Sequence, residues 1–150
     1  MRIDIGDRYV ETDRVNAIVV GGRYCSASNF CSAGKILVCL KDDIKINCFD
    51  GARWTIGQLQ EVLKTINKLF VDKGVDSFVI LRDKFLINID NVKEVRSSST
   101  SDGLYLVEAE FKDGEVTCVY LGNRKQSARN LINQYKYAEE VYLEKKQREY

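Results

Sequence analysis

The sequence predicts an α+β fold of two duplicated, antiparallel, strand-rich units, each closed by a C-terminal helix. Three observations carry this reading. Segments of alternating polarity are broken by short polar turns, two stretches are apolar at helical spacing, and the same signals recur in the same order in both halves. The units run over 1–72 and 77–150, joined by VDKGVD, with helices near 55–70 and 124–147. Neither unit is large enough to bury its apolar face alone. The two are therefore expected to share a core in one compact domain, and association of copies into a homo-oligomer would bury more.

Taken in order, Asp7-Arg8-Tyr9-Val10 followed by Asp13-Arg14-Val15-Asn16-Ala17-Ile18 is echoed by Asp83-Lys84-Phe85-Leu86 followed by Asp90-Asn91-Val92-Lys93-Glu94-Val95. Next come GKILVCLKDDIKINCF (34–49) and DGLYLVEAEFKDGEVTCVYL (102–121), each a pair of alternating segments about a polar KDD or KDG turn, which is a hairpin signature. Ile56, Leu59, Val62, Leu63, Ile66 and Phe70 then mark one helix face. Thr55 and Gln58 open it as a capping box and Gly74 stops it. In the second half Ala128, Leu131, Ile132, Tyr135, Ala138 and Tyr142 form a similar stripe, with Asn123 and Gln126 placed to cap it. Its polar end, LEKKQREY, predicts a helix that projects from the body or packs on another copy.

The strand–strand–hairpin–helix order, through stretches such as FLINIDNVKEV, resembles small β-barrel and pleckstrin-homology-like modules in both halves. That resemblance implies a binding module and names no ligand.

Composition narrows the functional classes. A net charge of +1 argues against a general nucleic-acid binder, because nothing in it favours coating a polyanion, yet it leaves room for a local anion site. No apolar run reaches the roughly 20 residues of a membrane helix, and MRIDIGDRYVETD lacks a signal-peptide apolar region, so a cytoplasmic protein is expected. Five cysteines, an odd number, agree with thiols in a reducing compartment. Cys39, Cys48 and Cys118 fall in alternating runs and are expected on buried or half-buried strands.

Catalytic groups are scarce. With no histidine, Ser–His and Cys–His machinery and the common zinc hydrolase sites are excluded within the chain. Gly34-Lys35 is followed by Ile36, which breaks a phosphate loop. Asp42/Asp43 and Glu139/Glu140 sit in a hairpin turn and on a charged helix face. The expectation is a non-enzymatic protein without metal or cofactor.

The strongest lead is a misplaced charge. The second helix opens with Arg124, Lys125 and Arg129 and no acid, although a helix N-terminus already carries partial positive charge. Superposing the helical stripes sets Arg53 opposite Lys125, so both halves carry a cation where the last strand enters its helix. Free N–H groups, the helix dipole and a guanidinium together suit a phosphate. Loop 21–34 adds Arg23, Tyr24 and Phe30, a cation with two aromatic faces able to stack on a base. Two readings follow. One is a binder that sequesters a phosphorylated small ligand, such as a signalling nucleotide. The other is a protein–protein interaction or inhibitor module, for example a phage or mobile-element antagonist of a host protein, whose cations meet acids. A plain alternative pairs these cations with Glu108 and Glu110 on the preceding hairpin.

Overall fold

Ten strands in three antiparallel sheets and two helices form among the described residues of the computed structural model, which are 1–5, 8–21, 35–48 and 54–148. A hairpin of β1 (Arg2–Ile5) and β2 (Arg8–Glu11) leads through a 3-10 turn into β3 (Val15–Val20), then β4 (Ile36–Leu40) and β5 (Lys45–Cys48). Helix α1 (Ile56–Asp72) follows. The second hairpin, β6 (Phe78–Leu81) and β7 (Phe85–Asn88), leads through another 3-10 turn into β8 (Val92–Ser99), β9 (Tyr105–Phe111) and β10 (Val116–Gly122), and helix α2 (Lys125–Arg148) ends the fold.

The central sheet has the order β5-β4-β3-β7-β6, so the second hairpin joins the first meander by pairing β7 with β3. The remaining sheets are β10-β9-β8 and β1-β2. Strand β3 is buried along its whole length because both of its faces are covered. Val15, Ile18 and Val20 enter one core with β1, β2 and the α1 residues Leu59, Leu63, Ile66 and Phe70. Ala17 and Val19 enter a second core with Val107, Ala109 and Phe111 of β9 and with Ala128, Leu131 and Tyr135 of α2. A register shift between Val15 and Ala17 inserts Asn16 as an extra residue, which is why Val15 and Ile18 share a face despite their odd spacing.

Local chemistry explains the elements. Thr55 Oγ1 accepts from Gln58 N–H at 3.1 Å while Gln58 Oε1 accepts from Thr55 N–H at 3.0 Å, a reciprocal pair that starts α1. In β9, buried Val107, Ala109 and Phe111 alternate with outward Glu108 and Glu110, the pattern of a sheet with one wet face.

Buried side chains tie the halves together. Asn88 Nδ2 donates to the carbonyls of Val15 at 2.9 Å and Thr12 at 3.3 Å, and Asn91 Nδ2 donates to those of Val15 at 3.0 Å and Asp13 at 3.1 Å. These amides satisfy the carbonyls of the irregular turn before β3, which no strand partner meets. At the opposite hairpin tips Asp113 accepts from Asn16 Nδ2, Asp42 N–H and Glu115 N–H. Burial opposes its ionisation, but these three bonds outweigh it and hold the carboxyl below its usual range.

Three expectations are corrected. Helix α2 does not project freely: Tyr142 Oη donates to Asp90 at 2.8 Å and Lys145 pairs with Asp76 at 2.6 Å, so its far end lies against the body. Gln126 donates to Asn130 Oδ1 at 2.7 Å instead of completing a capping box with Asn123. Cys118 is exposed, while Cys48 is buried and Cys39 half-buried. The register shift between Cys118 and Tyr120 turns Val119 into the core and leaves Cys118 outside.

Candidate functional site

The start of α2 is built by β10 and the β6–β7 turn. Tyr120 Oη lies 3.3 Å from Arg124 N and accepts its hydrogen bond, so a phenol occupies the place of a capping side chain. Gly122 makes room for this. A Cβ there would lie 2.5 Å from Tyr120 Oη and 2.8 Å from Tyr120 Cζ. Arg82 stands over the same ring, its guanidinium carbon 5.2 Å from the ring centroid and Nη1 donating to Val119 O at 3.0 Å.

Arg124, Lys125 and Arg129 are exposed, and among the described residues their side chains form no ion pair. The acids proposed as their partners are taken. Glu110 bonds Arg96 and lies 3.3 Å from Lys93, and Glu108 lies 3.9 Å from Arg96. The hydrogen bond from Arg96, then that from Lys93, lowers the Glu110 carboxyl below its ordinary value. The acids on the wet face of β8–β9 are thus paired with Lys93 and Arg96 of the same sheet, and the α2 cations are left to solvent.

Of the residues singled out in the sequence, Arg124, Lys125 and Arg129 are brought together by one helical turn. Arg53, Arg23, Tyr24 and Phe30 lie outside the described residues. Trp54, beside Arg53, packs against the first core. Sequence reasoning missed Arg82. It holds a left-handed backbone (φ 56°) at a hairpin tip and reaches β10 only through the tertiary fold, although a non-glycine pair in that conformation, Arg82-Asp83, flags a tight turn.

Two cavities lie elsewhere, along the far half of α2. One, of about 300 Å³, is polar and sits between the two 3-10 turns and Tyr142. The other, of about 420 Å³, is mostly apolar and shares Asp76 and Tyr142 with the first. Among the described residues no group of three or more His, Cys, Asp or Glu is arranged to hold a metal ion, and no helix is long and apolar enough to cross a membrane.

Comparison with models of protein families, with curated proteins and with solved structures finds no match to this chain.

Proposed function

We propose that this is a non-enzymatic binding protein that holds a phosphorylated ligand at the basic start of α2. The observation that carries this reading is the set of cations around Tyr120. Arg82 stacks on its ring, Arg124 follows its hydroxyl, and Lys125 and Arg129 stand one turn on, all without an ion pair among the described residues. Unneutralised guanidinium groups beside free helix N–H groups are matched to phosphate oxygens. The surface there is open, which suits a ligand held by its phosphates. Arg53, Arg23, Tyr24 and Phe30 belong to the same proposal as a second cation position and a base-stacking loop.

The proposal includes a duplicated origin for units 1–72 and 77–150. Its support is the repeated order of hairpin, 3-10 turn, three-stranded meander and helix, with one shared detail. Thr12 N–H donates to Met1 O at 2.9 Å and Ile89 N–H donates to Ser77 O at 2.7 Å, each tying a 3-10 turn to the residue before its hairpin. A cytoplasmic setting is supported by free thiols at Cys39 and Cys118.

A second reading, a protein-interaction or inhibitor module such as a phage antagonist, is favoured by one observation. Tyr137 and Val141, one turn apart on α2, are 70% and 48% exposed, an apolar pair that association with a partner or another copy would cover. Heating the purified protein and measuring the released material by absorbance and mass spectrometry separates the two. A co-purified phosphorylated compound, absent from a Lys125→Glu/Arg129→Glu variant, supports the first. A clean protein that gives no calorimetric signal with phosphorylated compounds defeats it.

A further inference from the structure

The polar cavity beside α2 has a lining that asks for a ligand of one chemical kind. Its walls include Ser77, Thr12 and Asn91, which are 8%, 6% and 7% exposed. Neither Ser77 Oγ nor Thr12 Oγ1 has a hydrogen-bond partner among the described residues. Asn91 spends both amide hydrogens on Asp13 O and Val15 O, leaving Oδ1 without a donor. The one fully enclosed side-chain oxygen or nitrogen without a partner among the described residues is Asn16 Oδ1, so these three atoms keep an open face, and the cavity is what they open onto. Polar side chains buried to this degree are normally satisfied.

Asn91 Oδ1 and the Asp13 carboxylate can only accept, and the Ser77 and Thr12 hydroxyls can accept as well as donate. Asn88 is saturated, its amide given to Thr12 O and Val15 O and its Oδ1 accepting from Asp90 N–H at 3.2 Å. Three carboxylates, Asp13, Asp76 and Asp90, stand at the wall against the single cation Lys41. Asp76 is paired with Lys145, which lines the apolar cavity, and Asp90 with Lys146, through pairs whose side chains are 37–59% exposed and therefore exchangeable with a ligand cation. Asp13 has no ion pair among the described residues. The apolar cavity continues from Asp76 and Tyr142 along Phe78, Ile89 and Val141.

We infer that the polar cavity, with the apolar cavity beside it, is a binding site for an organic cation, a primary ammonium or guanidinium group seated among Asp13, Ser77 and Asn91 with a short apolar extension lying along α2. The inference is independent of the basic start of the helix, because it rests on other residues. The ammonium supplies the donors that Ser77 Oγ, Asn91 Oδ1 and the Asp13 carboxylate lack, and its tail covers Ile89 and Val141.

The test is a titration of the isotopically labelled full chain with phenethylamine, followed by amide chemical shifts, with phenethyl alcohol as the uncharged probe of the same shape. The expected result is saturable shifts at residues 12–13, 76–77 and 88–91 with the amine at millimolar concentration, and little response to the alcohol. Asp13→Asn, a change at an exposed position, should weaken the amine about tenfold or more, and Ser77→Ala should weaken it less. N-acetyl-Lys-Phe-amide identifies the source. Tighter binding than phenethylamine assigns the cation to a partner's side chain, and weaker binding assigns it to a free amine. The inference is overturned if the amine gives no saturable shift at those residues, if the alcohol binds equally, or if Asp13→Asn binds the amine as the parent does.

Discussion

Replacing Asn88 with leucine, close to it in shape, tests how the two halves are held together. The change removes donors from Thr12 O and Val15 O and an acceptor from Asp90 N–H. Val15 O keeps the bond from Asn91 at 3.0 Å and Thr12 O keeps the one from Val15 N–H, so the group newly left unpaired is Asp90 N–H. At roughly 1–3 kcal/mol for a buried polar group that loses its partner, with Asp90 partly open to water and Thr12 O losing one of two donors, the loss is about 1–2 kcal/mol. For a chain of this size that lowers the melting temperature by roughly 2–8 °C. Asn91→Leu alone strips Asp13 O and leaves Val15 O served by Asn88, for about 1–3 kcal/mol. Together the two changes leave Val15 O with neither donor, so the double variant should lose about 1–3 kcal/mol more than the sum of the singles. Urea unfolding of the four proteins, with the midpoint shifting at constant slope, reads these values. Strict additivity, or a loss for Asn88→Leu below about 0.5 kcal/mol, would refute the reasoning that these amides jointly satisfy the turn before β3.

Further outcomes follow from the same structure. Asp113 has a folded pKa held below its ordinary value, so its contribution is present above the unfolded carboxylate range and is lost as pH falls through the folded value. Acid unfolding of Asp113→Asn should therefore depend less steeply on pH in that range than unfolding of the parent. Burial, then the Asp43 hydrogen bond, raises Glu115, so the folded state binds protons more readily than the unfolded one and Glu115 weakens the fold at neutral pH. Glu115→Gln should raise the melting temperature at pH 7 and have no such effect in acid. Gly122→Ala pushes Tyr120 Oη off Arg124 N–H and should lower stability by about 0.5–2 kcal/mol, the usual worth of a helix cap, in a urea titration. Burial pushes the Cys39 thiol up to about 11, and Cys48 is buried, so timed alkylation with peptide mapping should modify Cys118 well before either.

Much of this fold was legible because its signals are local. VEAEF alternates strictly within strand β9, and Leu59, Leu63, Ile66 and Phe70 recur at helical spacing and form the buried face of α1. The Thr55/Gln58 cap could be read because its two partners lie three residues apart. What escaped depends on distance or on irregularity. Pairing of β7 with β3 is decided by the two cores on either face of the sheet, and no short stretch encodes it. The bulge in β10 reverses the face that plain alternation gives Cys118. Arg124, Lys125 and Arg129 stood out as charges at odds with a helix dipole. Arg82 did not, because its role depends on a turn remote in sequence reaching Tyr120. The polar cavity was equally hidden, since Thr12, Ser77 and Asn91 are ordinary turn residues until folding brings them to one wall.

The most direct measurement of the central proposal compares melting temperatures of the parent and of Lys125→Glu/Arg129→Glu with and without phosphorylated compounds, from inorganic phosphate to nucleotides. Acids suit the first turn of a helix, so the variant without ligand should melt no lower than the parent, gaining at most about 0.3–1 kcal/mol per site. A ligand at about 100 times its dissociation constant stabilises the state it binds by about 2.7 kcal/mol, a rise of roughly 5–10 °C for a chain of this size. The account predicts that rise in the parent and its loss in the variant. An equal rise in both proteins, or no rise in the parent with any phosphorylated compound at millimolar concentration, contradicts it.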